Sequence, residues 1–257
     1  MSDSSLETEL VHARDLDVET LADAIESIGF ECTRCGACCK GYETCGDAPD
    51  GSPDESPDGS PDDGAREAHT ATVFPDEVRR LVDAANESDP ARAPESARER
   101  RESYDWRDVA RPMPYGLTDG PDGSTGETFE WALATTGCGD CTFYRETDGR
   151  GACAVHDARP LVCRTYPFSV ALGGTSQPMG EAVDEEGMVR AHECEGLGRD
   201  IAREEAEELA AALKRRAVRE LEEAIGVRDN YRPTDAEGVV VHDSEGQKRP
   251  DGTPLDP

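Results

Sequence analysis

The clearest apolar rhythm lies towards the two ends of the chain. Behind a capping Asp17, the residues Leu21, Ala22, Ala24, Ile25 and Ile28 recur at helical spacing. Gly29 closes that helix, because glycine adopts the left-handed backbone of a C-terminal cap without a Cβ clash. Over residues 201–225, Ala202, Ala206, Leu209, Leu213, Ala217 and Leu221 fall on one side of a long helix rich in Ala, Glu and Arg. Between them the period shortens. Residues 70–74 suit a strand, and Pro75 opens a helix through Val78, Leu81 and Val82. Residues 128–134 carry large side chains on both faces, as a buried strand does. Residues 142–144, a turn at 148–151 and residues 153–155 read as strand, turn and returning strand. A short helix over 157–163 follows, with Asp157 as its cap and Pro160 in its first turn. Residues 164–172 return to extended chain. Short strands, covering helices and a long C-terminal helix predict a small α+β domain.

Elsewhere the rhythm fails. Residues 1–16 show only a weak pattern, and residues 226–257 are polar with little periodicity, so both are expected to be poorly ordered. Residues 46–64 consist of Asp, Pro, Ser, Gly and Glu apart from Ala48, with Ser-Pro-Asp recurring from Ser52, Ser56 and Ser60. Such a stretch has nothing to bury and predicts a disordered acidic insertion. Residues 88–101 read as either a second helix or a linker, followed by the aromatic anchors Tyr104 and Trp106 and a glycine-rich turn over 116–126. The expected domain therefore comprises residues 17–45 and 65–225.

Charge narrows the possible partners. The net charge is −30, from 57 acidic against 27 basic residues, and only Lys40, Lys214 and Lys248 are lysines. Self-repulsion on that scale argues against nucleic acid or an anionic membrane as partner. An acidic, lysine-poor surface suits a halophilic protein working in concentrated salt, which screens the repulsion. Apolar residues make up 35% of the chain, so the core is thin and a bound metal would add to its stability. No apolar run is long enough to span a bilayer, and the N-terminus lacks a signal peptide's basic and apolar regions, which predicts a cytoplasmic location. Ten cysteines in that reducing compartment read as metal ligands rather than disulfides.

The cysteines fall in two fields. Cys32, Cys35 and Cys38 are spaced C-x2-C-x2-C with Cys39 adjoining, and Gly36 gives the loop room to turn. C-x2-C is half of a structural zinc site, and the doubled spacing also occurs in loops that hold iron–sulfur clusters. In extended chain Cys38 and Cys39 would diverge, so either they serve two centres or one ligates and the other packs. The second field holds Cys138, Cys141, Cys153 and Cys163, with Cys194 later; Cys45 stands at the edge of the insertion. His156 and His192 lie within three residues of a cysteine and are secondary candidates. Arg34, Lys40, Arg159 and Arg164 flank the cysteines and are placed to offset thiolate charge. Tyr166 and Phe168 read as core beneath the site. No phosphate-binding loop, dinucleotide fingerprint or nucleophile elbow is present.

These pieces together resemble the CxxCxxCC family, the YkgJ-type cysteine-cluster proteins, described as a zinc- or iron-chelating domain. The resemblance rests on Phe30-x-Cys32-x-x-Cys35-Gly36-x-Cys38-Cys39, on Cys141 and Cys153, on Arg159-Pro160-x-x-Cys163-Arg164-x-Tyr166-Pro167-Phe168, and on Cys194-x-Gly196-x-Gly198. It implies eight metal ligands, Cys32, Cys35, Cys38, Cys39, Cys141, Cys153, Cys163 and Cys194, and leaves Cys45 and Cys138 outside the pattern. It implies zinc or an iron–sulfur cluster as cofactor. Relatives resembling iron–sulfur oxidoreductases or flagellin lysine methylases leave an enzymatic use of the same cysteines open. Eight thiolates divide into two zinc sites, one cluster and a second metal, or one cluster with spare ligands.

Overall fold

The computed structural model describes residues 5–41, 70–87, 103–121, 123–137, 139–173, 175, 182–184 and 187–255. Cys45, Cys138, the 46–64 insertion and the 88–101 segment lie outside the described residues. The chain is α+β. Helices α1 (Leu6–Asp15) and α2 (Val18–Ile28) open it, with Ser5 and Asp17 accepting N-cap hydrogen bonds from the N–H groups of Thr8 and Thr20. Strand β1 (Thr72–Val73) leads into α3 (Pro75–Glu87), as Pro75 predicts. The short α4 (Trp106–Val109) feeds β2 (Ala110–Pro112), and β3 (Leu117–Gly120) and β4 (Gly123–Phe129) follow. Next come β5 (Trp131–Leu133), the pair β6 (Tyr144–Thr147) and β7 (Arg150–Cys153), α5 (Leu161–Thr165), and β8 (Phe168–Val170). The chain ends with β9 (Ala182–Asp184), β10 (Val189–His192), the long α6 (Arg203–Asn230), β11 (Val239–Asp243) and β12 (Gly246–Lys248). No helix among the described residues is long and apolar enough to cross a membrane.

Among the described residues two apolar cores result. In one, Leu21 and Ile25 of α2, Ala13 of α1 and Phe168 and Val170 of β8 pack on Ala206, Ala210, Leu213, Ala217 and Leu221 of α6. The small alanines let the flanking helices approach α6 closely, which is why an alanine-rich stripe suffices. The second core joins Val78 and Leu81 of α3 to Val73, Trp131, Leu133, Phe143 and Val241, and Cys141 is one of its members. Arg216 ties α6 to α5 and β8. It is buried on α6, donates Nε to Glu220 at 2.8 Å, and donates Nη1 to Thr165 Oγ1 at 3.1 Å and to the Phe168 carbonyl at 3.2 Å.

Three expectations need correction. Residues 6–15 are helical, because α1 lays Leu6, Leu10 and the buried Ala13 against the α6 core. The run over 128–134 is two strands, because Glu130 takes a left-handed φ of 65° and turns the chain between sheets. β4 pairs with β3 and β11, whereas β5 pairs with β1 and β2. The 116–126 turn is correspondingly a hairpin of β3 and β4. Finally, much of the 226–257 tail is ordered: α6 continues through Asn230, and β11 lies parallel to β4 and antiparallel to β12. Val240 and Val241 are buried, and the apolar run at 239–241 was the overlooked signal.

The Glu130 corner has a pH consequence. Burial, helped by the neighbouring Glu223 and Glu220 carboxylates, raises the Glu130 carboxyl from 4.5 to about 7. Between those values the native state holds a proton that the unfolded chain releases, so stability falls as pH rises through the window. Glu130→Gln is expected to flatten the profile and to be more stable than wild type above that window, by on the order of 1–2 kcal/mol. Urea melts at acidic and mildly alkaline pH check this; parallel profiles for the two proteins would refute it.

Candidate metal centre

The first cysteine loop is pinned at both ends. At its start Glu31 N–H donates to the Gly196 carbonyl (3.0 Å) and Gly198 N–H to the Gly29 carbonyl (3.0 Å), so Cys194 sits beside the loop's entrance. Gly196 permits this approach: a Cβ there would stand 2.3 Å from the Glu31 carbonyl oxygen. At its end Cys141 N–H donates to the Cys39 carbonyl at 2.8 Å, and Gly41 N–H to Asp140 Oδ1 at 2.8 Å. The two cysteine fields therefore meet. Between these ends Arg34 (φ 59°) and Gly36 (φ 81°) are left-handed, and Ala37–Cys39 forms a 3₁₀ turn. Cys38 and Cys39 are consequently not in extended chain, and their Sγ atoms lie 3.8 Å apart instead of diverging.

The β6–β7 hairpin backs this loop. Its turn is Asp148-Gly149, with φ of 51° and 72°, the pair of positive values that a two-residue hairpin turn needs. Hairpin pairing therefore begins at Tyr144↔Cys153 and does not extend to Val155. Gly151 N–H donates to the Arg34 carbonyl at 2.7 Å. Tyr144 lies over Gly36 and donates its hydroxyl to Glu146 Oε2 at 2.5 Å; Lys40 Nζ reaches the same oxygen at 2.6 Å. A Cβ on Gly36 would stand 2.3 Å from the Tyr144 hydroxyl. Gly36→Ala is therefore expected to cost at least about 1–2 kcal/mol from the left-handed backbone alone, and to displace the loop from the hairpin. Thermal melts with metal content read on the same samples check it; an unchanged midpoint would count against this packing.

Cys163 is held on α5, whose N-cap is Pro160; residues 156–158 form a separate 3₁₀ turn, and Asp157 does not cap. The cap comes from Glu77 on α3, absent from the sequence reading. Its carboxylate is 2% exposed and accepts from Leu161 N–H (2.9 Å) and Phe74 N–H (3.3 Å). Burial raises its pKa despite those bonds. Glu77→Ala strands both N–H groups and is expected to cost about 1–3 kcal/mol, with Glu77→Gln milder because one acceptor remains. Denaturant midpoints test the ranking; equal losses in the two variants would refute it.

The cysteines differ in surroundings. Cys141 is buried, and Cys39, Cys153 and Cys163 pack against the same apolar core. Cys32 and Cys38 are exposed, and Cys35 and Cys194 are half-buried. Burial pushes the Cys141 thiol up to about 12 and Cys163 well above the ordinary value. The hydrogen bond from Cys39 lowers Cys38 to about 7 and raises Cys39 itself. Cys38, Cys141 and Cys163 add Coulombic repulsion at Cys39, whereas Cys35, Cys38 and Cys32 do so at Cys194. Among the described residues no three Cys, His, Asp or Glu side chains yet converge as a finished metal cage. The donor set itself, eight thiols with no competing disulfide, suits a soft metal such as zinc or iron.

The flanking cations sort themselves. Arg159 lies close enough to lower Cys38, Cys153 and Cys163, and Arg145, which the sequence reading passed over, acts likewise on Cys141 and Cys153. Lys40 is engaged by Glu146, Arg34 contributes its carbonyl, and Arg164 is exposed. His192 is buried with Nε2 3.0 Å from Ser169 Oγ, and His156 is exposed beside Asp157. Phe168 is core, meeting Phe30 edge-on at 5.7 Å, and Tyr166 donates its hydroxyl to the Glu193 carbonyl next to Cys194.

A family model, CxxCxxCC, described as "Putative zinc- or iron-chelating domain", matches residues 31–195. No curated protein and no solved structure matches the chain.

Proposed function

The chain belongs to the CxxCxxCC family, and from that premise we propose that it is a metal-chelating protein. Its ligands are Cys32, Cys35, Cys38, Cys39, Cys141, Cys153, Cys163 and Cys194, holding zinc or an iron–sulfur cluster. The observation that carries this reading is the 2.8 Å hydrogen bond from Cys141 N–H to the Cys39 carbonyl, which brings cysteines a hundred residues apart onto one wall. Four thiolates around zinc carry a net charge of about −2. Arg159 and Arg145 offset it locally in a chain that is otherwise strongly acidic. When bound, the metal supplies cross-links between segments; the chain's own residues orient the thiols and hold the loop. The setting we infer is a reducing, salt-rich cytoplasm, in which free thiols persist and the −30 charge is screened.

Anaerobic purification followed by elemental analysis and a visible spectrum tests the proposal. Metal in fixed proportion to protein is expected. Iron with acid-labile sulfide and a coloured sample identify a cluster, and zinc with a colourless sample identifies a structural site. A folded, metal-free chain that takes up neither would overturn it.

A further inference from the structure

We propose that the eight cysteines form two separate metal centres, an inner one of Cys39, Cys141, Cys153 and Cys163 set in the core and an outer one of Cys32, Cys35, Cys38 and Cys194 open to solvent. This rests on the chelation reading and adds which thiols act together. Three observations carry the division. Of the inner four, Cys141 belongs to the apolar core built on Trp131 and Phe143 and Cys39, Cys153 and Cys163 pack against it, whereas none of the outer four lies in or against either core. The loop's two ends are bonded to different partners: its entrance to residues 196 and 198 beside Cys194, its exit to Cys141. The loop entrance that carries Cys32 thus lies beside residues 194–198, while its exit at Cys39 lies beside Cys141. Electrostatic proximity agrees away from the shared edge: Cys194 lies near Cys35 and Cys32, and Cys39 near Cys141 and Cys163, while Cys38 is a neighbour of both sets.

Four thiolates complete either a tetrahedral zinc site or a four-iron cluster, so each quartet is sufficient alone. The centres adjoin at Cys38 and Cys39, whose Sγ atoms are 3.8 Å apart. Closing each quartet requires rotation about Cα–Cβ at individual cysteines, between staggered positions available to any such side chain. The division also separates roles. The inner metal cross-links core segments and belongs to folding. The outer metal is the exchangeable one, reachable by small thiols and chelators from solvent.

Native mass spectrometry of the anaerobically purified full chain, followed through a chelator time course, tests this. The wild type is expected to carry two centres, lost in two phases with the outer one first. Cys194→Ser, and separately the double variant Cys32→Ser/Cys35→Ser, should each keep one centre, the slowly released one, with the wild-type far-ultraviolet dichroism. These variants lie on opposite sides of the outer centre, so local misfolding in one leaves the other decisive. A single centre in the wild type, one-phase release, or loss of both centres from a folded Cys194→Ser protein would overturn the division while leaving chelation standing. A wild type with no metal would overturn chelation itself.

Discussion

Cys163→Ser is expected to lose metal and the cooperative unfolding of the half of the chain built on Trp131, Phe143 and Leu81. The magnitudes decide this. Structural zinc in small domains contributes an apparent ~10–16 kcal/mol, whereas a whole native domain is stable by only about 5–15 kcal/mol. The helix α5, which carries Cys163, has only five residues, too few to hold itself without tertiary support. Without a metal, hairpin, loop and α5 keep only their core packing, a few backbone bonds and the contacts of Glu77 and Arg216 with α5. Metal content, thermal midpoint and near-ultraviolet dichroism are the readouts. Cys32→Ser is the control for cooperativity: Cys32 is exposed and packs on neither core, so this variant is expected to lose outer metal and keep the cooperative transition. Loss of metal without loss of cooperativity in Cys163→Ser would show that the core holds itself, and the metal would then be cargo.

Asp243→Ala is expected to lower stability by about 3–5 kcal/mol, the typical effect of removing one partner from a buried ion pair. In a chain of this size that corresponds to a fall in thermal midpoint on the order of 10 °C. Asp243 Oδ2 accepts from Lys248 Nζ at 2.7 Å and from Trp131 Nε1 at 2.8 Å, and its side chain is 0% exposed against 6% for Lys248. Removing it leaves an ammonium buried with one remaining partner, Glu245, and an indole N–H with none of its present bonding. Lys248 also lies over the Trp106 ring at 5.5 Å, so the network clamps β12 onto α4. The double variant Asp243→Leu/Lys248→Met should recover part of the loss, because replacing both charges removes the desolvation cost along with the attraction while the Trp131 N–H stays without its acceptor. If the double variant is as unstable as the single, packing rather than charge governs the site. Metal content should stay at the wild-type level in both.

Local pattern reaches as far as a helical turn or a strand pair. That is why α2 with its Asp17 cap and Gly29 end, α3 from Pro75, and the stripe of α6 were legible, and why the hairpin near Asp148-Gly149 was found with its register misplaced by about two residues. α1 was missed because its apolar side is too narrow to signal alone; it becomes stable against α6. The same holds for β11, a valine run whose partner β4 lies over a hundred residues away.

The eight proposed ligands rest on the family resemblance; the cysteine inventory and its C-x2-C spacing follow from the sequence alone. So do the acidic surface and the α+β class. That Cys39 meets Cys141 was decided by the tertiary structure. The 3₁₀ turn at Ala37–Cys39, the left-handed corner at Glu130 and the reach of Glu77 to Leu161 each depend on a segment distant in sequence. A short loop has no periodicity to read, and its conformation is set by the surfaces that close around it. Here those surfaces are the Tyr144 ring and hairpin on one side and residues 194–198 on the other.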